Sequence, residues 1–261
     1  MAAGDANVAL TTTRAFKCNV FDGVNDYVEI PHNANQIGVN LSKGFTISAW
    51  IYAKSLGELA GKILTKGGTS GINGFFLGIP AAGNTISAVI NNGTARSAAT
   101  GAITYQKWYN VIVTISSLQL CNFYIDGIIS GNENQDLVQG ISAITSTAVM
   151  RIGNQSLGTD RTFDGGIKDV KMWDRVLTSE EIIIVSEGGT PPTPIHHFKL
   201  GGDYTDYGSV GTDATNSGSV VQIVEDNVAV AVKAQRVTAN DIYMIAELPG
   251  GRIITAVVEE T

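Results

Sequence analysis

Apolar and polar residues alternate in short segments along most of the chain, and this alternation predicts β-strands. Clear examples are FTISAWIYA (45–53), TISAVINNG (85–93), WYNVIVTISS (108–117) and LCNFYIDGIIS (120–130). Asn-Gly ends the second segment and Asp-Gly interrupts the fourth, and both dipeptides are typical of hairpin turns. Because these strands do not alternate with helices, the pattern predicts an all-β protein, an antiparallel two-sheet sandwich.

One helical signal interrupts this pattern, in TSEEIIIVSEGG (178–189). Glu181 follows Thr178 by three residues, the spacing of a capping box in which each side chain bonds the other residue's backbone N–H. Gly188 and Gly189 come after the apolar residues, and the prolines of TPPTP (190–194) cannot resume a helix. We therefore expect one short helix.

The composition argues against several classes of partner. The 261 residues carry a formal net charge of −7 and no run of Lys or Arg, whereas nucleic-acid binding requires clustered positive charge. Hydrophobic residues make up 44% of the chain, but no stretch approaches the roughly 20 apolar residues of a membrane helix. We expect no nucleic-acid binding and no membrane insertion. The N-terminal segment also lacks the basic region and apolar block of a secretion signal.

The chain contains two cysteines, Cys18 and Cys121. Two cysteines do not make the disulfide framework that marks small secreted domains, so we expect two buried free thiols. Pairing remains open at this stage, because it depends on whether the two strands are neighbours.

Six motifs occur in an order that resembles a known family. They are FDGVNDYVEIP, FTISAWIYA, WYNVIVTIS, NFYIDGIISG, RIGNQ and FDGGIKDVKMWDRVLTSEEI. Together, over residues 16–187, they resemble a LamG-like domain of the concanavalin A-like lectin/glucanase superfamily, of the kind found in phage and viral structural proteins. The resemblance implies a jelly-roll sandwich that closes with the short helix.

Glucanases of the same superfamily resemble one another in an E-x-D-x-x-E strand that places two carboxylates on one face. That motif is absent here, and YIDGIISGNE (124–133) has one Asp and a distant Glu, a spacing unsuited to a catalytic carboxylate pair. We therefore expect no enzymatic activity. The adjacent His196 and His197 face opposite sides of a strand, so they cannot hold a metal together.

Carboxylates are concentrated in FDGVND (21–26) and in the segment that begins FDGG (163–166). Turn and cap chemistry is the first interpretation of Asp164, Asp169 and Asp174, because Asp bonds nearby backbone amides. The alternative is a Ca²⁺ site with ligands from Asp22, Asp26 and Asp164. We expect no cofactor, with Ca²⁺ as the alternative, because no D-x-D-x-D-G loop is present.

Aromatic residues divide into core and loop positions. The three tryptophans, Trp50, Trp108 and Trp173, fall in apolar strand patterns and are expected in the core. Two tyrosines in the polar DYTDYG loop are instead candidates for stacking on sugars. The predicted ligand-binding residues are Asp22, Asn25, Asp26, Asp164, Tyr204 and Tyr207.

We predict four segments. Residues 1–16 form an N-terminal arm, and 17–189 form the LamG-like jelly roll. Residues 190–224 resemble the opening strand and loop of such a domain; they either complete the sandwich, which we favour, or belong to a second repeat. Residues 225–261 form a C-terminal β segment for assembly, with apolar contacts from Val228, Val230, Val232, Ile242, Ile253 and Ile254.

Two functions are compatible with these features. Sandwiches of this family usually act outside cells, yet no secretion signal is found, and virion proteins reach the exterior without one. We therefore predict a non-catalytic virion surface protein, a capsid decoration or tail component. Its partners would be capsid or other virion proteins and further copies of itself. The alternative is an extracellular or cell-surface module for carbohydrate binding or adhesion, with a host-surface glycan as its partner.

Overall fold

Strands dominate the protein, which a computed structural model describes for residues 6–36, 43–67, 74–90, 95–136, 144–192, 194–236, 241–248 and 252–259. The first nine strands are β1 (Ala6–Asp22), β2 (Tyr27–Ile30), β3 (Phe45–Ala53), β4 (Lys62–Lys66), β5 (Phe75–Gly78), β6 (Ser87–Ile90), β7 (Arg96–Ser97), β8 (Trp108–Ile115) and β9 (Leu120–Ile125). The others are β10 (Ile128–Ile129), β11 (Gln135–Asp136), β12 (Met150–Ile152), β13 (Asp164–Trp173), β14 (His196–Phe198), β15 (Thr215–Ser217), β16 (Val220–Arg236), β17 (Asp241–Leu248) and β18 (Arg252–Glu259). One helix, α1 (Ser179–Ser186), follows β13. No helix in these residues is long and apolar enough to cross a membrane.

The chain divides into two compact units, Phe16–Val224 and the two ends, Met1–Ala15 with Glu225–Thr261. The first unit contains two antiparallel sheets. Its first sheet has the strand order β10-β9-β8-β3-β13-β1-β16, with β11 paired to β9 and β14 paired to β13. Its second sheet is seven-stranded, with the order β15-β2-β12-β4-β5-β6-β7. The predicted all-β jelly-roll sandwich is therefore confirmed.

The main core lies between these two sheets, because alternate residues of each strand face inward. On β3, Phe45, Ile47 and Ile51 are almost fully buried, and Phe75 and Leu77 of β5 approach them from the second sheet. The rings of Phe45 and Phe75 lie 6.0 Å apart. Burial of each such side chain contributes roughly 1.5–3 kcal/mol to stability.

The outer side of the first sheet is covered in part by α1. Ile182 and Val185 of the helix pack on Ile112 and Trp173. The capping box is present as predicted, since Thr178 Oγ1 accepts from the N–H of Glu181 and the Glu181 carboxylate accepts from the N–H of Thr178. This helix accordingly belongs to the sandwich and is not a separate element.

A second apolar cluster on the outer side contains Trp50, Trp108 and Cys18. The indole N–H of Trp108 donates to the Val224 carbonyl at 2.9 Å. All three tryptophans of the chain are buried, as the strand pattern predicts.

Both cysteines are free and buried. Cys121 lies in the core between the sheets, whereas Cys18 lies on the outer side of the first sheet, and three strands separate β9 from β1. The two thiols therefore cannot pair. Burial raises the pKa of Cys18 to about 11 and that of Cys121 to about 12, so both remain protonated at neutral pH.

The segment after the helix contributes a strand to each sheet of the first unit. β14 is antiparallel to β13, with His196 opposite Met172, and β15 is antiparallel to β2, with Thr215 opposite Glu29. Near its middle, β13 contains a register shift that includes Asp169, whose φ of 52° is unusual for a residue other than glycine.

The second unit contains an antiparallel sheet. In it β17 pairs with both β16 and β18, so that Ala246 lies opposite Val232 on one side and Ile254 on the other. β1 begins at Ala6, inside the segment for which the sequence predicts an arm.

Candidate functional site

The acidic turn after β1 uses its carboxylates to bind its own backbone. Oδ1 of Asp22 accepts from the N–H of Val24 at 2.8 Å and of Asn25 at 3.2 Å. Oδ2 of Asp26 accepts from the N–H of Asp22 at 3.0 Å. Burial raises the pKa of the Asp26 carboxyl above its ordinary value. These are the hydrogen bonds of an Asx-type turn.

Asp164 lies beside this turn. It is the register partner of Asp22 between β13 and β1, and its Oδ2 accepts from the Ser55 hydroxyl at 2.6 Å. Within the described residues, however, no group of three or more His, Cys, Asp or Glu side chains is arranged to hold a metal ion. Calcium binding by Asp22, Asp26 and Asp164 stays a prediction.

The side chain of Tyr204 makes structural contacts within the protein, and its ring is not available for stacking on a ligand. Its hydroxyl accepts from Nδ2 of Asn19 at 2.9 Å, and its ring packs on the core between the sheets. The same Nδ2 donates to Ser219, and Oδ1 of Asn19 accepts from the N–H of Gly201. One buried amide therefore holds β1 against the loop that follows β14.

Tyr207 is exposed over 50% of its surface and lies in a polar patch. Its hydroxyl donates to Oδ2 of Asp203 at 2.9 Å, and the Lys199 ammonium lies 3.8 Å from the centre of its ring. The ring of His197 lies 6.1 Å away at an angle of 58°. The hydrogen bond from Tyr207 lowers the pKa of Asp203. We call Tyr207, Asp203, Lys199 and His197 the Tyr207 patch.

Hydrogen bonds connect His197 of the patch to two further polar side chains, Asp169 and Lys171. Nε2 of His197 donates to Oδ1 of Asp169 at 2.8 Å, and Oδ2 of Asp169 accepts from the Lys171 ammonium at 2.7 Å. Lys171 also donates to the carbonyl of Gly189 at 2.9 Å. Although burial opposes ionisation, the hydrogen bond from His197 and the charge of Lys171 hold the pKa of Asp169 below its ordinary value.

The other histidine organises the loop that carries Tyr207. Nδ1 of His196 donates to Oδ2 of Asp206 at 2.6 Å, and both side chains are fully buried. The Asp206 carboxylate also accepts from the backbone N–H groups of His197, Gly208 and Thr212. Although burial opposes ionisation, the hydrogen bond from His196 lowers the pKa of Asp206. The two histidines therefore contact different carboxylates on opposite sides of β14.

The predicted ligand-binding residues do not form one site. Asp22, Asn25, Asp26 and Asp164 lie near the start of β13, whereas His197 pairs with Lys171, seven residues further along. At about 3.3 Å per residue, the acidic turn and the Tyr207 patch lie roughly 20 Å apart along the strand. The sequence pattern predicted turn chemistry for Asp169, which instead accepts from His197 and Lys171. It did not point to Lys199, Asp203 or Asp206, because their contacts come from different segments.

The assembly residues of the C-terminal segment are described only as strand positions. The side chains of Val228, Val230, Val232, Ile242, Ile253 and Ile254 lie outside the described part of the chain. Their role in assembly stays a prediction.

Comparison with known proteins identifies the family. The model of the concanavalin A-like lectin/glucanases superfamily matches residues 22–183, more than half of the chain, and the protein therefore belongs to this superfamily. The resemblance stated from the six motifs is confirmed. No curated protein matches the sequence.

Two solved structures illustrate the shared fold. One is a protein from Bacteroides ovatus ATCC 8483 for which carbohydrate binding has been proposed, with a TM-score of 0.59 and 17% identity over 81% of this chain. This chain spans only 61% of that protein's length. The other is the heptameric SAP-like pentraxin of Limulus polyphemus, with a TM-score of 0.52 and 16% identity over 77% of this chain and 96% of the pentraxin.

These similarities support the alternative function better than the main prediction. The matched superfamily is one of lectins and glucanases. The two solved structures share the fold, and neither connects the chain with a virion. The virion assignment, with its capsid partners and location, stays a prediction without support.

Proposed function

We propose that this protein is an extracellular or cell-surface carbohydrate-binding module and that the Tyr207 patch contacts the sugar. The observation that carries the proposal is a half-exposed aromatic ring with a carboxylate and an ammonium in contact with it. Membership of a lectin superfamily and the fold shared with the Bacteroides protein support it. The absence of the glucanase motif in the sequence favours binding without cleavage.

The patch offers both kinds of contact that a sugar requires. The C–H groups of a pyranose can stack on the Tyr207 ring, while its hydroxyls donate to Asp203 and accept from Lys199. Lys199 is exposed and lies over the ring, so a sugar must displace its ammonium. This displacement costs about 0.5–1 kcal/mol, the typical strength of an exposed cation–π contact.

The hydrogen bonds around the patch favour binding by a preformed surface. His197 is hydrogen-bonded to Asp169, and the Asp206 carboxylate accepts from three backbone N–H groups of the surrounding segment. Because the loop is already ordered, little conformational entropy is lost when a ligand binds.

The test is a glycan screen followed by calorimetry on wild type and Tyr207→Ala. We expect the substitution to weaken the affinity for the selected glycan about tenfold, equivalent to roughly 1.4 kcal/mol. Leu118→Ala is the control, because Leu118 is 76% exposed and lies in the turn between β8 and β9. Unchanged affinity in Tyr207→Ala, with intact glycan binding, would assign the sugar contact to another surface. Chromatography of the glycan after prolonged incubation should show no cleavage.

A further inference from the structure

The second sheet turns one face towards the core and the other away from it. One row of residues on the outer face runs across the strands by register, through Glu29, Arg151, Thr65 and Phe76. The neighbours of Phe76 along β5, Phe75 and Leu77, lie in the core, so Phe76 faces outward. Arg151 is already neutralised, since it donates to the Glu29 carboxylate at 2.9 Å.

The loop at residues 154–162 lies against this outer face next to β4. Oγ1 of Thr65 donates to the carbonyl of Asn154 and lies 2.9 Å from Oγ of Ser156. At the beginning of β4, the N–H of Lys62 donates to the carbonyl of Arg161 at 3.0 Å. The loop therefore places Arg161 next to Lys62.

Lys62 is a buried lysine that has no anionic partner among the described residues. Its side chain is only 3% exposed and extends over the ring of Phe76, with Nζ 3.4 Å from the ring centre. In the described part of the chain it makes no hydrogen bond or ion pair. Burial, together with the charge of Arg161, lowers its pKa to about 7. Buried charges in proteins are normally paired, so this arrangement is costly without a partner.

Arg161 also has no ion-pair partner in the described part of the chain. Its Nε is buried and has no hydrogen-bond partner, and its guanidinium forms no ion pair with any described residue. The adjacent Asp160 accepts instead from the side-chain amide of Gln155. Oε1 of Gln155 is also buried without a partner. Lys62 and Arg161 are therefore two neighbouring basic groups, and neither has an anionic partner among the described residues.

We propose that Lys62 and Arg161 bind the oxyanion of an acidic sugar unit, either a carboxylate or a sulfate ester. The guanidinium matches the paired oxygens of such a group, while Lys62 supplies a point charge. The net charge of −7 repels acidic glycans in general, so selective binding requires a local cationic site of this kind. The inference rests on the proposed glycan binding but uses a surface separate from the Tyr207 patch.

The test compares oligosaccharides of one backbone in neutral, uronate and sulfate-ester forms, by calorimetry at constant ionic strength. We expect at least one acidic form to bind wild type about tenfold more tightly than the neutral form. Lys62→Met and Arg161→Gln should each remove most of this preference and leave the affinity for the neutral form unchanged. Lys107→Met is the control, because Lys107 also lies near a ring, 5.2 Å from that of Tyr109, and directly precedes β8 in the other sheet.

The uronate and sulfate forms distinguish the two sources of the oxyanion. Equal affinity for all three forms in wild type would overturn the site, as would a preference for acidic forms that survives in both variants. If neutral glycans still bind through Tyr207, the proposed function stands and only this inference fails. If none of the oligosaccharides and no glycan in the screen binds, the proposed function itself fails.

Discussion

β4 has a buried lysine at each end, and the two lysines differ in their hydrogen-bond partners. Lys66 is 2% exposed and donates to Oε1 of Gln36 and the carbonyl of Ala148, both at 2.8 Å, and it lies 3.2 Å from Nδ1 of His32. Lys62 lies four residues earlier and is equally buried, and among the described residues it contacts only the face of Phe76. Burial lowers the pKa of Lys66 to about 8, against about 7 for Lys62.

This difference in partners distinguishes a lysine that stabilises the fold from a lysine that is available to a ligand. Lys66 fastens the segment after β2 and the segment before β12 to the second sheet, and its donors are used within the chain. Asp206, which accepts from His196 and three backbone groups, is a carboxylate of the same kind. The ammonium of Lys62 donates to no group that the structure describes. A buried group with unused hydrogen-bonding capacity is a candidate for contact with a ligand.

The largest effect on stability is expected from Asp206→Asn, because this substitution disrupts the hydrogen bonds of a fully partnered carboxylate. The amide has one acceptor where the carboxylate has two, and its N–H₂ group would face backbone N–H donors. We expect the free energy of unfolding to fall by about 3 kcal/mol, measured by chemical denaturation. The exposed Asp174→Asn, at the end of β13, is the control and should change stability by less than about 0.5 kcal/mol.

Asp206→Asn should also change how the stability of the protein depends on pH. Because the folded-state pKa of Asp206 lies below its ordinary value, its stabilising contribution is present above pH 4 and is lost as the pH falls through the folded-state pKa. Asp206→Asn should therefore flatten the acid limb of the stability profile. An acid limb as steep as that of wild type would show that other carboxylates dominate it.

An intermediate loss is expected from Lys66→Met. The substitution leaves Oε1 of Gln36 and the carbonyl of Ala148 without their donor, although it also removes a buried charge. We expect a net loss of about 2 kcal/mol in the free energy of unfolding, by the same measurement. A stabilised Lys66→Met variant would mean that the partners of Lys66 do not compensate its burial, and the contrast along β4 would disappear.

The smallest effect on stability is expected from Lys62→Met, and this substitution should stabilise the protein. The folded-state pKa of about 7 lies below the ordinary 10.5, so the unfolded chain binds more protons between these values and stability rises with pH there. The methionine removes a penalty that is fully present below pH 7. We expect a gain of about 1 kcal/mol at pH 6 that shrinks towards pH 9, since loss of the cation–π contact offsets part of it. A loss of stability at pH 6 would indicate that Lys62 has a stabilising partner within the protein.

The fold was largely predictable from local patterns. Alternation in segments such as 45–53 and 108–117 is sufficient for strands, and Thr178 with Glu181 is sufficient for the helix start, because both signals depend on neighbouring residues. The Asp-Gly pair is another example: Asp126 and Gly127 have φ values of 49° and 80° and form the turn between β9 and β10.

The candidate sites depend on long-range contacts instead. The sequence pointed to Tyr207 as a sugar-stacking residue, but Tyr204 in the same loop is held by Asn19, 185 residues away. His197 reaches Asp169 only because β14 pairs with β13 at a position where that strand shifts register.

By itself, the sequence determined the family, the sandwich and the closing helix, since strand alternation, turn residues and helix caps are encoded by residues close together in the chain. Only the tertiary structure decided which charges are neutralised. Lys62 and Lys66 both belong to the short segment KILTK, and nothing in that segment distinguishes them. Their difference arises because Gln36 and Ala148 reach one lysine, whereas the loop at 154–162 brings the other a second positive charge.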